Sequence, residues 1–153
     1  MQLSAHFALS EFTRSARAAD LEIANVPTDE QIARLTELCA DVLEPLRVAL
    51  GRPVRITSGY RSPELNEALG GAARSQHTRG EAADIDAADI DADELAATII
   101  RLRLPYDQLV WYSPERGGHV HVSYTSAGTN RYQVRHAPPG GGYPRQAPKE
   151  IIE

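Results

Sequence analysis

The chain has 153 residues, with 16 Lys plus Arg against 21 Asp plus Glu and a formal net charge of −5. This length is typical of one domain with an ordinary core, so we expect it to fold without disulfides or a structural metal. The acidic balance argues against nucleic acid as a partner, because counterion release needs a concentrated basic face. No stretch of about 18 apolar residues and no secretory signal pattern is visible, so we expect synthesis in the cytoplasm and no membrane insertion.

Cap signals and apolar periodicity predict four helices. A capping residue precedes apolar residues that recur every three or four positions, as in the stretch that Thr28 and Gln31 open. The predicted helices run over about 11–18 after Ser10, from Thr28 to about residue 50, from Ser62 to Gly70, and from Asp91 to Pro105. Pro45 is expected to kink or split the second helix, because proline lacks a backbone donor. Cys39, on the apolar side of that helix, is expected to be buried rather than reactive.

Short segments that alternate apolar and polar residues predict strands between these helices. The predicted strands cover 54–57, 82–86, 108–112 and 120–124, with one more near 132–134. Residues 72–81 are predicted to be loop. This order of elements predicts an α+β domain with a small, mainly antiparallel sheet. We expect the domain to span 1–137 and the Pro/Gly-rich residues 138–153 to form a tail.

Two groups of residues have the chemistry of metal ligands. His77 and Asp84 lie seven positions apart, and His119-Val120-His121 lies in a predicted strand, where alternate side chains share a face. Two imidazoles and one carboxylate make a three-ligand zinc set that leaves the fourth position for water, which is typical of catalytic zinc. Each group alone is also common among surface histidines and capping aspartates, so spacing alone does not decide the function.

The residues around these groups resemble a known family. The blocks are Ser58-Gly59-Tyr60-Arg61-Ser62, Ser75-Gln76-His77-Thr78-Arg79-Gly80-Glu81-Ala82-Ala83-Asp84 and His119-Val120-His121-Val122-Ser123-Tyr124. In order and spacing they resemble the zinc D-alanyl-D-alanine carboxypeptidases, the M15 peptidases, and most closely the small branch often encoded by phages and prophages. The resemblance covers about residues 3–136 and implies the Hedgehog/DD-peptidase type of fold.

The resemblance implies roles for individual residues. His77, Asp84 and His121 match the zinc ligands of the family, and Arg61 matches the arginine that holds a substrate carboxylate or carbonyl. A planar guanidinium suits that role because it can donate two parallel hydrogen bonds. Ser75 is expected to support a ligand or the substrate by a hydrogen bond.

The general base is the point at which the sequence departs from the family. Many relatives carry a glutamate at one of two positions, which are Tyr112 and Gly118 in this chain. Two candidates remain open. Glu115 lies in a turn that could bring its carboxylate to the site, and His119 is expected on the ligand face of its strand.

The resemblance implies zinc-dependent hydrolysis of an amide bond in peptidoglycan peptides. The enzyme would be a D,D-carboxypeptidase or an L-Ala–D-Glu or D-Ala endopeptidase of endolysin type, acting as a monomer. It would reach the bacterial cell wall after release or as part of a phage particle. A non-catalytic wall-binding or phage structural module that keeps the zinc site is the alternative, and a fold merely stabilised by zinc is a third interpretation.

Overall fold

The computed structural model describes residues 1–140 and, for the backbone alone, residues 145–146. Among them are six α-helices, four of which begin after a capping side chain: Ser15, Thr28, Ser62 and Asp91. The six helices are α1 (Leu9–Thr13), α2 (Ala16–Asp20), α3 (Asp29–Leu38), α4 (Glu44–Leu50), α5 (Pro63–Ala68) and α6 (Ala92–Arg101). Within the described part of the chain, no helix is long and apolar enough to cross a membrane.

The long second helix is split in the way that Pro45 predicts. α3 passes into a π-helical segment, Cys39–Leu43, before α4 begins at Glu44. The helix changes type directly ahead of the proline, which provides no N–H for a regular turn. Cys39 is fully buried in this segment, and burial raises the pKa of its thiol to about 12, which agrees with an unreactive residue.

The predicted helix over 11–18 is wrong in its bounds. Two short helices take its place because Ser15 interrupts the segment and caps α2, its Oγ accepting a hydrogen bond from the Ala18 N–H at 3.1 Å. Ser10, the predicted cap, lies inside α1, and the Glu11 carboxylate instead accepts from the Ala8 N–H at 2.7 Å.

The strands form one sheet in the order β1-β2-β4-β3-β5-β6. They are β1 (Val54–Ser58), β2 (Ala82–Ala87), β3 (Gln108–Tyr112), β4 (Val120–Ser123), β5 (Gln133–Ala137) and β6 (Arg145–Gln146). Every pair is antiparallel except β3 with β5, which run parallel. The predicted α+β fold with a mainly antiparallel sheet is therefore confirmed. The strand expected near 132–134 exists, but it starts at Gln133 and runs to Ala137.

One face of the sheet packs on the helices and the other is left open. Buried residues such as Ile85, Leu109 and Val122 join α3 and α6 in a single core. Their neighbours along each strand point to the opposite face, because side chains alternate in a strand. That opposite face forms the floor of a cleft.

The predicted tail lies partly outside the described residues. Residues 141–144 and 147–153 are not described, whereas β6 pairs its backbone with β5. The division at residue 137 stays a prediction.

Candidate metal centre

The sheet register brings two of the predicted ligands together. Asp84 of β2 lies directly opposite His121 of β4, and His121 lies opposite Val110 of β3. Facing residues of antiparallel strands have Cβ atoms about 4.5–5.5 Å apart, so the pairing alone places a carboxylate beside an imidazole. Val120 and Val122 point the other way and are fully buried, as the alternation in the sequence predicts.

A short 3-10 helix, Gln76–Arg79, supplies His77 within the predicted loop. The Ser75 Oγ caps it by accepting a hydrogen bond from the His77 N–H at 3.3 Å. Gly80 ends it with a φ of +76°, a conformation that favours glycine. A Cβ at Gly80 would lie 2.6 Å from the backbone oxygen of Gln31, so the turn also needs glycine for close packing on α3.

The three predicted ligands converge on one point. Oδ1 of Asp84 lies 3.3 Å from Nε2 of His77 and 3.1 Å from Nδ1 of His121. One potential ligand atom from each residue lies within 4.8 Å of the others. Two imidazole nitrogens and a carboxylate oxygen are ligands that Zn²⁺ takes in proteins.

The hydrogen bonding of His77 shows that the donor set fits a cation. Nδ1 of His77 lies 2.7 Å from the carbonyl oxygen of Gly59, which only accepts, so Nδ1 carries a proton and Nε2 is directed at Asp84. Burial would raise the pKa of Asp84, but the facing His77 and His121 outweigh it and hold that pKa well below its usual range. If His77 is neutral and protonated at Nδ1, its Nε2 and Oδ1 of Asp84 are two acceptors that face each other. A cation between these two atoms removes the conflict.

Arg61 lies beside the cluster and contacts it directly. Its Nη2 is 3.3 Å from Oδ2 of Asp84, its Nε donates to the Ser58 Oγ at 3.0 Å, and its backbone N–H donates to the His77 carbonyl oxygen at 3.1 Å. Asp84 thus turns one oxygen to the two histidines and the other to the guanidinium. The arginine lines the cleft, and it also orients the carboxylate.

The loop that carries Arg61 is held by Asn25, a residue to which the sequence analysis assigned no role. The Asn25 side chain accepts from the Ser62 N–H at 2.7 Å and donates to the carbonyl oxygens of Thr13 and Tyr60, both at 3.0 Å. These long-range contacts have no local sequence signal.

The two candidate bases lie in different environments. Nε2 of His119 is 4.0 Å from Oδ2 of Asp84, and its ring stacks on Tyr112 with 4.4 Å between the ring centroids. Glu115 is exposed on the 3-10 turn Pro114–Arg116, and among the described residues no hydrogen bond or ion pair joins it to the cluster. Burial lowers the pKa of His119, so its imidazole is neutral near pH 7 and can accept a proton.

A cleft of about 1260 Å³ runs over the cluster and extends beyond it. Gln76, next to His77, donates to Oδ2 of Asp107 at 3.0 Å, and Arg131 donates to the same oxygen through Nη2 at 2.8 Å. Gln76 stands within one of the matched sequence blocks and Asp107 within the wider range 3–136 of the resemblance, yet neither was assigned a role, and nothing in the sequence pointed to Arg131.

An α+β domain with a His-Asp-His cluster on the floor of a cleft is typical of a metal-dependent hydrolase. A model described as Peptidase M15 matches residues 5–123, and the chain therefore belongs to the Peptidase M15 family. This is a family of zinc peptidases, so the predicted family and the general class of activity are confirmed. A comparison with curated proteins finds no match.

Proposed function

We propose that the protein is a zinc-dependent peptidase that hydrolyses an amide bond in peptidoglycan peptides, either as a D,D-carboxypeptidase or as an endopeptidase of endolysin type. The observation that carries the proposal is the convergence of His77, Asp84 and His121 within 4.8 Å on the floor of the cleft. The family supports a peptide substrate in general. The proposal includes action on the bacterial cell wall as a monomer, after release or as part of a phage particle.

In this proposal His77, Asp84 and His121 hold the zinc ion, the Gly59 carbonyl fixes the ring of His77, and Arg61 orients Asp84. Such a hydrogen bond at the second nitrogen of a ligand histidine sets its tautomer and orientation. Bound zinc supplies Lewis-acid polarisation of a carbonyl group and activation of water at neutral pH. The remaining donors of Arg61 bind a substrate carboxylate or carbonyl, since the guanidinium lines the cleft.

We assign the general base to His119 rather than to Glu115. Support comes from the position of Nε2, 4.0 Å from a carboxylate oxygen of the cluster, and from the stacking on Tyr112 that holds the ring. His119 accepts a proton at Nε2 from the attacking water and returns it to the leaving amine. Glu115 would have to move in from an exposed turn.

One observation favours the alternative of a non-catalytic wall-binding or phage structural module. Tyr112 and Gly118 occupy the two positions at which the family resemblance implies a glutamate base. A module of this kind would bind zinc and the peptide but release no product.

Zinc content tests the ligand assignment. Elemental analysis should find about one zinc per chain, and His121→Ala should lower zinc affinity sharply. His6→Ala is the matched control, because His6 is an exposed histidine that pairs with Glu44 away from the cluster. Full zinc retention by a variant that lacks all three ligand side chains would overturn the assignment.

A further inference from the structure

The wall of the cleft is basic although the chain is acidic. Among the described residues, six arginines and three carboxylates line it, whereas the whole chain has a formal charge of −5. The arginines are Arg34, Arg61, Arg74, Arg79, Arg131 and Arg135. The arginines outnumber the carboxylates by three in this lining, and an excess of positive charge in a cleft favours an anionic ligand.

Two of these arginines lie across the sheet from Arg61. The register forms one row from Asp84 through His121 and Val110 to Arg135 of β5, and all four residues line the cleft. Two strand spacings of about 4.8 Å put the backbone of Arg135 about 10 Å from that of His121. Arg61 contacts Asp84 from the opposite end of the row. The metal ligands therefore lie between two groups of positive charge.

Arg131 is held in place at the same end as Arg135. Its backbone N–H and Nε donate to Oδ1 of Asp107 at 2.9 and 3.1 Å, and its Nη2 donates to Oδ2 at 2.8 Å. Asp107 is almost fully buried, whereas 59% of the Arg131 side chain is exposed. Asp107 thus fixes the guanidinium at the cleft, and Nη1 has no hydrogen-bond partner among the described residues.

We propose that Arg131 and Arg135 form a second anion-binding subsite that takes a carboxylate of the substrate peptide on the opposite side of the scissile amide from Arg61. The inference rests on the proposed function and narrows its substrate to a peptide that carries an acidic group on the side of the cleaved bond away from Arg61. The separation of about 10 Å between the backbones of Arg135 and His121 corresponds to about three extended residues. The remote carboxylate should therefore lie about three residues, or one residue with a long side chain, from that bond.

Two peptides that differ only at the remote carboxylate test the subsite. One carries the free acid and the other carries its amide, and the zinc-loaded full chain is assayed with both. Loss of a charged hydrogen bond at a partly exposed site should raise KM about tenfold for the amide. Arg135→Gln should weaken binding of the acid and remove most of the difference between acid and amide. Arg131→Lys, which keeps a charge beside Asp107, should reduce that difference.

Arg34→Gln is the matched control, because Arg34 lies on the α3 wall of the same cleft and pairs with Glu30. This variant should keep the tenfold preference for the acid. Equal KM values for acid and amide in the wild type, or a preference that Arg135→Gln leaves unchanged, would overturn the subsite.

Measuring the binding of both peptides by calorimetry distinguishes a failure of this inference from a failure of the proposed function. If neither peptide is cleaved, the proposed catalysis fails. The subsite then stands if the acid still binds about tenfold more tightly than the amide and Arg135→Gln removes the difference, and it fails if the two bind equally.

Discussion

Replacing Gly80 with alanine tests how the chain positions His77 against Asp84. Gly80 ends the 3-10 helix that carries His77, with φ +76°, and a Cβ there would lie 2.6 Å from the backbone oxygen of Gln31. Gly51→Ala is the matched control. Gly51 also ends a helix, with φ +64°, but a Cβ there meets nothing within 4 Å.

The two substitutions separate backbone strain from steric overlap. A left-handed conformation costs a non-glycine residue about 1–2 kcal/mol, and both variants bear this cost. At Gly80 the distance between the added Cβ and the backbone oxygen of Gln31 has to increase by about 0.8 Å to reach ordinary van der Waals contact. Overpacking of this kind adds about 1–3 kcal/mol to the cost. We therefore expect Gly80→Ala to lower the free energy of unfolding by about 2–5 kcal/mol and Gly51→Ala by about 1–2 kcal/mol.

Urea denaturation measures these losses, and competition with a zinc chelator measures metal affinity. Displacement of the turn moves His77, so Gly80→Ala should bind zinc about 10–100-fold more weakly, as loss of a supporting contact at a metal site typically does. Gly51→Ala should bind zinc like the wild type. The reasoning is refuted if Gly80→Ala is no less stable than Gly51→Ala and keeps wild-type zinc affinity.

Three further outcomes are expected. Arg61→Lys should lower kcat/KM about 10–100-fold with about one zinc still bound, because lysine keeps the charge but loses the planar pair of donors; unchanged kinetics would contradict a substrate contact. His119→Ala should slow single-turnover cleavage by about 10²–10⁴-fold and Glu115→Gln should not; the opposite pattern would assign the base to Glu115. Burial would raise the pKa of Asp107, but Arg131 outweighs it and lowers that pKa. The stabilisation is therefore present above the unfolded pKa of about 3.9 and is lost as the pH falls through the folded pKa. Asp107→Asn should cost about 1–2 kcal/mol at pH 7 by urea denaturation and progressively less below pH 4, and a constant difference across this range would argue against the pair.

Local sequence patterns predict many of the helices and strands, because helix caps and apolar periodicity depend only on residues that are near each other in the sequence. The pair Thr28 and Gln31 does form a capping box, and the alternation around His121 does place the valines in the core. Ser15 shows the limit of this reasoning, since it competes with Ser10 as a cap and only packing decides between them.

The candidate site combines local and long-range information in the same way. The matched sequence blocks identify His77, Asp84 and His121 as candidate ligands. The register of β2 and β4 then explains how Asp84 and His121 come together. The approach of Arg61 to Asp84 depends on a loop tied down by distant residues, which no local pattern encodes. The parallel pairing of β5 with β3, which places Arg135 in one row with Asp84 and His121, is likewise set by tertiary packing.

Product analysis with defined peptidoglycan peptides tests the central claim most directly. The full chain with one equivalent of zinc is incubated with the peptides, and the products are identified by mass spectrometry. The account predicts cleavage at a single type of amide bond, its loss on chelation of the metal and its return when zinc is restored. Intact peptides in the presence of a chain that holds one zinc and binds them would contradict it and identify the protein as a binding module.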